Sequence, residues 1–138
     1  MGQTQTLEEI EKQDWGEPTH DSYLVRTIHA LRRKPIGDFT VEDLRISIGQ
    51  QMGIEHLMPL ALNHLEVDPF VRGDFYRGDL LKVVMEVEAS YWLAHSAVAG
   101  RMIAVASRAA ALLNDLDVTD ETNTSLRRLL DERPWSAA

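Results

Sequence analysis

The sequence predicts an all-α fold, a compact bundle of six or seven helices within one domain spanning residues 1–138, and three observations carry that prediction. Apolar residues recur at three- to four-residue spacing along most of the chain. Several of these stretches open on a residue able to cap a helix N-terminus. The β-branched pairs, such as Val83-Val84, sit in no period-two run bounded by hairpin turns.

Leu7 and Ile10, set among acids, predict a short amphipathic helix that ends before Gly16, Glu17 and Pro18. A second helix fits Asp21 to Arg33, with Leu24, Ile28 and Leu31 on one face. Lys34-Pro35 stops it, and the cations Arg32, Arg33 and Lys34 complement the negative end of its dipole. The third start is the clearest. Thr40 is placed to cap, Asp43 stands three residues on as the capping-box acid, and Phe39 with Leu44 forms a hydrophobic staple. Gly49 or Gly53 then permits termination and a tight turn.

Pro59 is expected in the first turn of a fourth helix, from about Met58 to Val67, because its missing N–H costs nothing there. Asp68-Pro69 closes that helix. Arg72 to Asp79 carries two glycines and two aromatics without helical spacing and reads as a structured loop, with Asp79 capping the next helix. Leu80 to His95 is the most strongly periodic segment, read as one continuous central helix. Val98 to Leu113 supplies another, with Met102, Val105, Ala109, Leu112 and Leu113 inward. Thr119 caps a last helix, and Pro134 ends it.

The net charge of −8 disfavours nucleic acid and anionic membranes as partners and favours a basic protein. The one basic run, Arg32 to Lys34, is too short to reverse that. The most apolar stretch, Leu93 to Leu116, is broken by Arg101 and Arg108 and is expected to be a core helix, not a membrane span. The acidic N-terminal segment lacks the basic start and apolar run of an export signal, so action in the cytoplasm is expected.

No constellation of a known catalytic or cofactor type stands out. His56 and His64, eight residues apart, fall about 80° out of alignment even on an unbroken helix. Asp115, Asp117 and Asp120 lack the glycine and terminal glutamate of a calcium loop. Glu86 and Glu88, two apart on a helix, would diverge. The chain is therefore expected to act by binding, with no cofactor and no metal. The Arg72 to Asp79 loop is the first candidate edge, Tyr76 supplying amphipathic contact area and Asp74 or Arg77 polar register.

Two stretches carry a family resemblance: L-R-R-K-P-I-G-D-F-T-V-E-D-L-R-I-S-I-G-Q-Q-M-G-I at residues 31–54, and P-L-A-L-N-H-L-E-V-D-P-F-V-R-G-D-F-Y-R-G-D-L-L at residues 59–81. An upstream L-E-E-I-E-K-Q-D-W-G-E-P, residues 7–18, extends it. Together they resemble a small all-helical family of immunity proteins from bacterial contact-dependent growth inhibition systems. The resemblance implies a cytoplasmic protein that neutralises the toxic C-terminal domain of a delivered effector, commonly a nuclease. The recurring pattern falls on Asp38, Phe39, Thr40, Asp43, Leu44 and Gly49, and on Gly73 to Tyr76 with Gly78 and Asp79. Most of these are caps and turns, so they speak to the fold more than to the interface. The chain departs from the pattern at Arg72 and Arg77, where an acid and a proline are common.

A nuclease needs positive charge to hold nucleic acid, so an acidic inhibitor can cover that surface and associate quickly. Asp21, Glu55, Glu66, Asp68 and Asp74 are accordingly candidate contacts, alongside Arg72, Tyr76 and Arg77 of the loop. A helical adaptor with an unrelated partner is the competing expectation.

Overall fold

The structure, a computed structural model, describes residues 4–17, 22–116 and 118–136. Eight α-helices and no strand are present among them: α1 (Leu7–Glu11), α2 (Tyr23–Arg32), α3 (Val41–Gly49), α4 (Ile54–Val67), α5 (Asp79–Met85), α6 (Ala89–Ala94), α7 (Ser96–Leu112) and α8 (Asp120–Glu132). Short 3-10 turns at Ile36–Asp38, Leu113–Asp115 and Pro134–Ser136 join or follow them. The all-α bundle is as expected. The additional helix arises because the central segment is two helices.

The capping chemistry is realised in detail. Thr40 Oγ1 accepts from the Asp43 N–H at 3.1 Å, and the Asp43 carboxylate accepts from the Thr40 N–H at 3.0 Å, closing a reciprocal box. Thr6 and Glu9 form the same device at the start of α1, and Ser22 and Thr119 cap α2 and α8. Phe39 and Leu44 are both buried, as a staple requires.

α3 packs on α4 and α5, α4 on α7, and α8 on α5. Leu44, Leu57, Leu62, Leu80, Val84 and Trp92 form part of one core, which Trp135 in the last turn helps to close beside α6 and α7. α4 starts four residues earlier than expected, so Pro59 lies inside it. Gly53 makes that earlier start possible by taking φ +63°, and a Cβ there would meet Leu7 at 2.8 Å.

The expected single helix from Leu80 to His95 is broken after Met85. At the break the buried indole of Trp92 donates its Nε1–H to the Val87 carbonyl at 3.2 Å. In a continuous helix that carbonyl would serve the Tyr91 N–H, which instead bonds Glu88 O at 3.1 Å. Val87 and Trp92 are therefore held inward by a turn that periodicity does not encode.

α7 continues into the Leu113–Asp115 turn, and by length and composition alone Ser96–Asp115 is long and apolar enough to cross a membrane. Its Ala99, Met102, Val105 and Ala109 are buried in the bundle, and Arg101 is tied to α4, which supports the core-helix reading. Leu112, expected inward, is 44% exposed.

The basic run has an internal use. Arg32, 1% exposed, donates to Glu11 at 2.6 Å and to the Gln13 carbonyl at 3.2 Å, with Trp15 stacked on its guanidinium at 4.1 Å. Arg33 bonds Glu8, Glu17 and the Gly16 carbonyl, and Lys34 bonds Asp43 at 2.7 Å. Every cation of the run is thus engaged within the chain, pinning the 7–17 segment to α2 and α2 to α3.

Candidate partner-binding surface

The Arg72 to Asp79 loop is built around one buried carboxylate. Asp79, 3% exposed, does not cap α5; Gly78 in the left-handed region holds that position. Its side chain turns back and accepts the backbone N–H groups of Gly73 at 2.6 Å, Phe75 at 3.0 Å and Tyr76 at 3.4 Å. Glu42 on α3 accepts a fourth loop N–H, from Asp74, at 2.9 Å while it pairs with Arg45. Arg45 lies 3.9 Å from Asp79 and places its guanidinium 4.3 Å from the Phe75 ring centre. Two acids and one arginine therefore fix the loop to α3 and α5 together.

Gly73 is where the two carboxylates converge. A Cβ there would lie 2.6 Å from Glu42 and 2.9 Å from Asp79. The glycine is needed for this close approach to the backbone.

The Arg45 hydrogen bond is the main cause that holds the Glu42 carboxyl below its ordinary pKa, with the Asp74 N–H adding to it and burial opposing. A lowered folded-state pKa means that Glu42 contributes stability above the unfolded value, near 4.3, and loses it as pH falls through the folded value. Thermal melts followed by circular dichroism should drop as the pH is taken below about 4.3. Glu42→Gln, already less stable at neutral pH, should show a shallower drop.

The candidate residues from the sequence fall into three groups. Asp68, Arg72, Asp74, Tyr76 and Arg77 come together at the loop. Arg72 and Arg77 form an isolated antiparallel bridge, Arg77 lies 3.5 Å from Asp68, and Asp68 also accepts the Phe70 N–H. Tyr76 is half-buried, and desolvation, then the charges of Asp79 and Glu86, raise its pKa. Phe75 is 64% exposed, its ring against Arg45. A hollow of about 400 Å³ beside the loop is lined by Arg72, Phe75, Tyr76 and Thr122 among others.

Glu66 lies apart from the loop group. Arg101 grips it at 2.7 and 2.9 Å and lowers its pKa, while Arg108 bonds its carbonyl, so its charge serves the α4–α7 contact. Glu55 stands in the first turn of α4, exposed and away from the loop candidates in sequence. Asp21 lies outside the described residues.

The helix break creates a feature that the sequence pattern hid. Glu86 and Glu88, expected to diverge on a helix, sit in the α5–α6 turn and line one groove of about 420 Å³ with Ser90. Ile48, Ile54, Val83, Val87 and Tyr91 contribute to its walls. Burial, then the charge of Glu55, pushes the Tyr91 phenol up to about 12, so it is neutral in any ordinary buffer. The hint in the sequence was the Glu-Val-Glu run before Tyr91-Trp92, which only the break makes meaningful.

Among the described residues, no three of histidine, aspartate and glutamate gather so as to hold a metal ion. What the surface offers is contact area, fixed charge and exposed aromatic carbon. A family model described as CDI immunity proteins matches residues 9–102, a span that contains the loop, the groove and all of α2 to α6. No curated protein and no solved structure matches the chain.

Proposed function

The chain belongs to the CDI immunity proteins, and on that premise we propose that it stays in the cytoplasm and silences a cognate toxin domain of a contact-dependent growth inhibition effector by binding to it. The family match over residues 9–102 carries this reading. It acts by covering a surface and turns over no substrate.

The toxin domain is proposed to be a nuclease with a basic face. Such a face must hold phosphates, and a protein of net charge −8 is drawn to it. The rigid loop supports the same reading from the side of shape. Phe75 and Tyr76 present aromatic area whose backbone is already fixed by Asp79 and Glu42, so little conformational freedom is left to lose on binding.

Co-expression with the toxin domain encoded beside this chain tests the proposal. Cells should survive and the two proteins should co-purify, while a non-cognate toxin should still arrest growth. Arrest by the neighbouring toxin despite folded protein in the cell would remove the proposal.

A further inference from the structure

Building on the toxin-binding reading, we infer that the groove between α3, the start of α4 and the α5–α6 turn seats an arginine or lysine side chain projecting from the toxin domain. Charge, shape and position each lead there.

Charge comes first, because the loop does not supply the negative surface that a basic partner needs. Its ions are balanced in number, Asp68 and Asp74 against Arg72 and Arg77, and Asp68 faces Arg77 at 3.5 Å. Much of the acidic excess elsewhere is engaged within the chain, as in Glu11 with Arg32, Asp43 with Lys34 and Glu66 with Arg101. The groove differs. Among the described residues Glu86 pairs only with Lys82, at 3.3 Å, in an exposed pair of the kind that contributes little. Glu88 receives a hydroxyl from Ser90 at 3.4 Å and has no cationic partner among the described residues.

Shape then selects the occupant. Val83, Val87, Ile48 and Ile54 give apolar walls, and the two carboxylates stand with them. An arginine or lysine matches both, since its methylene stem covers apolar surface while its charged head reaches the acids. An aliphatic side chain would desolvate the carboxylates without replacing their hydration. An acidic one would be repelled.

Position joins the groove to the loop. Asp79, which holds the loop, opens α5, and Glu86 follows its last residue Met85, so the aromatic edge and the acidic groove lie at the two ends of one seven-residue helix, about 10 Å apart along its axis. A partner resting on Phe75 and Tyr76 can place a basic side chain in the groove.

The test uses the full chain and the neighbouring toxin domain, inactivated at its catalytic residue, with affinity measured at two salt concentrations. Glu86→Gln with Glu88→Gln keeps the shape and removes the charge. Ser90→Arg, at an exposed position, fills the groove with a cation of its own. Each should weaken the complex by about 10- to 100-fold, and the glutamine pair should also flatten the salt dependence. Backbone amide shifts at groove residues of the unaltered chain on toxin addition give a reading independent of either variant. If both variants keep affinity within about twofold, or the groove amides do not move, the assignment is wrong. Weakening by Ser90→Arg alone would mean an uncharged occupant and would overturn the cationic assignment. If the unaltered chain fails to bind the toxin at all, the functional reading fails first and the groove assignment with it.

Discussion

Asp79→Ala should cost about 3 kcal/mol of folding stability and release the Arg72 to Gly78 loop. The carboxylate is buried and accepts three backbone N–H groups, from Gly73, Phe75 and Tyr76. Alanine leaves all three without their acceptor and removes the negative charge beside Arg45. Each stranded N–H costs about 1–3 kcal/mol if it stays dry, but the loop is near solvent, so water recovers part of that sum. Asp79→Asn keeps an acceptor and loses the charge, and its effect should fall between that of alanine and none. Urea unfolding gives the stability change, and amide exchange at residues 73–76 should accelerate in step with it. An alanine variant as stable as the parent would show that the carboxylate does not organise the loop.

Arg32→Ala should rank next, at about 2–3 kcal/mol. The guanidinium is 1% exposed and holds Glu11, the Gln13 carbonyl and the face of Trp15 at once. Its loss strands a partly buried carboxylate and frees the segment between α1 and α2. Arg32→Lys should recover only part of the stability, since an ammonium lacks the planar fork that serves two acceptors while lying flat on an indole. Limited proteolysis within residues 12–17 separates local release from global loss. Unchanged protection there would show that Arg32 does not pin the segment between α1 and α2.

The two predictions also mark what was legible in the sequence. Caps were readable because they are local: Thr40 and Asp43 meet within one turn of helix, whatever the rest of the chain does. Core faces followed from spacing, and Leu44, Ile48, Leu57 and Val84 are buried as periodicity requires. Asp79 misled because a residue at the first turn of a helix has two uses, and only the path of the preceding loop decides between capping and bonding backwards. The break after Met85 was hidden for a similar reason. Its apolar spacing fits a helix, and the competing bond from Trp92 to Val87 depends on tertiary burial of the indole.

The candidate surface was half legible. A loop dense in glycine, arginine and aromatics marked itself, and five of the named residues do meet there. Its supports on α3, Glu42 and Arg45, lie more than 25 residues upstream with no local signal. The acidic groove needed the helix break, so no reading of Glu86 and Glu88 as helical positions reaches it. The charge balance at the loop depends on Asp68 and Arg77 standing face to face across nine residues of chain, which only the fold brings about.

Immunity by direct binding is tested most simply with purified components. The active toxin domain, a nuclease on the proposed reading, is titrated with this protein, and its cleavage of nucleic acid is followed alongside complex formation by calorimetry. Cleavage should fall in proportion to the complex formed and vanish near one equivalent, with a non-cognate toxin unaffected. Full cleavage in the presence of excess folded protein, or inhibition without a complex, would contradict it.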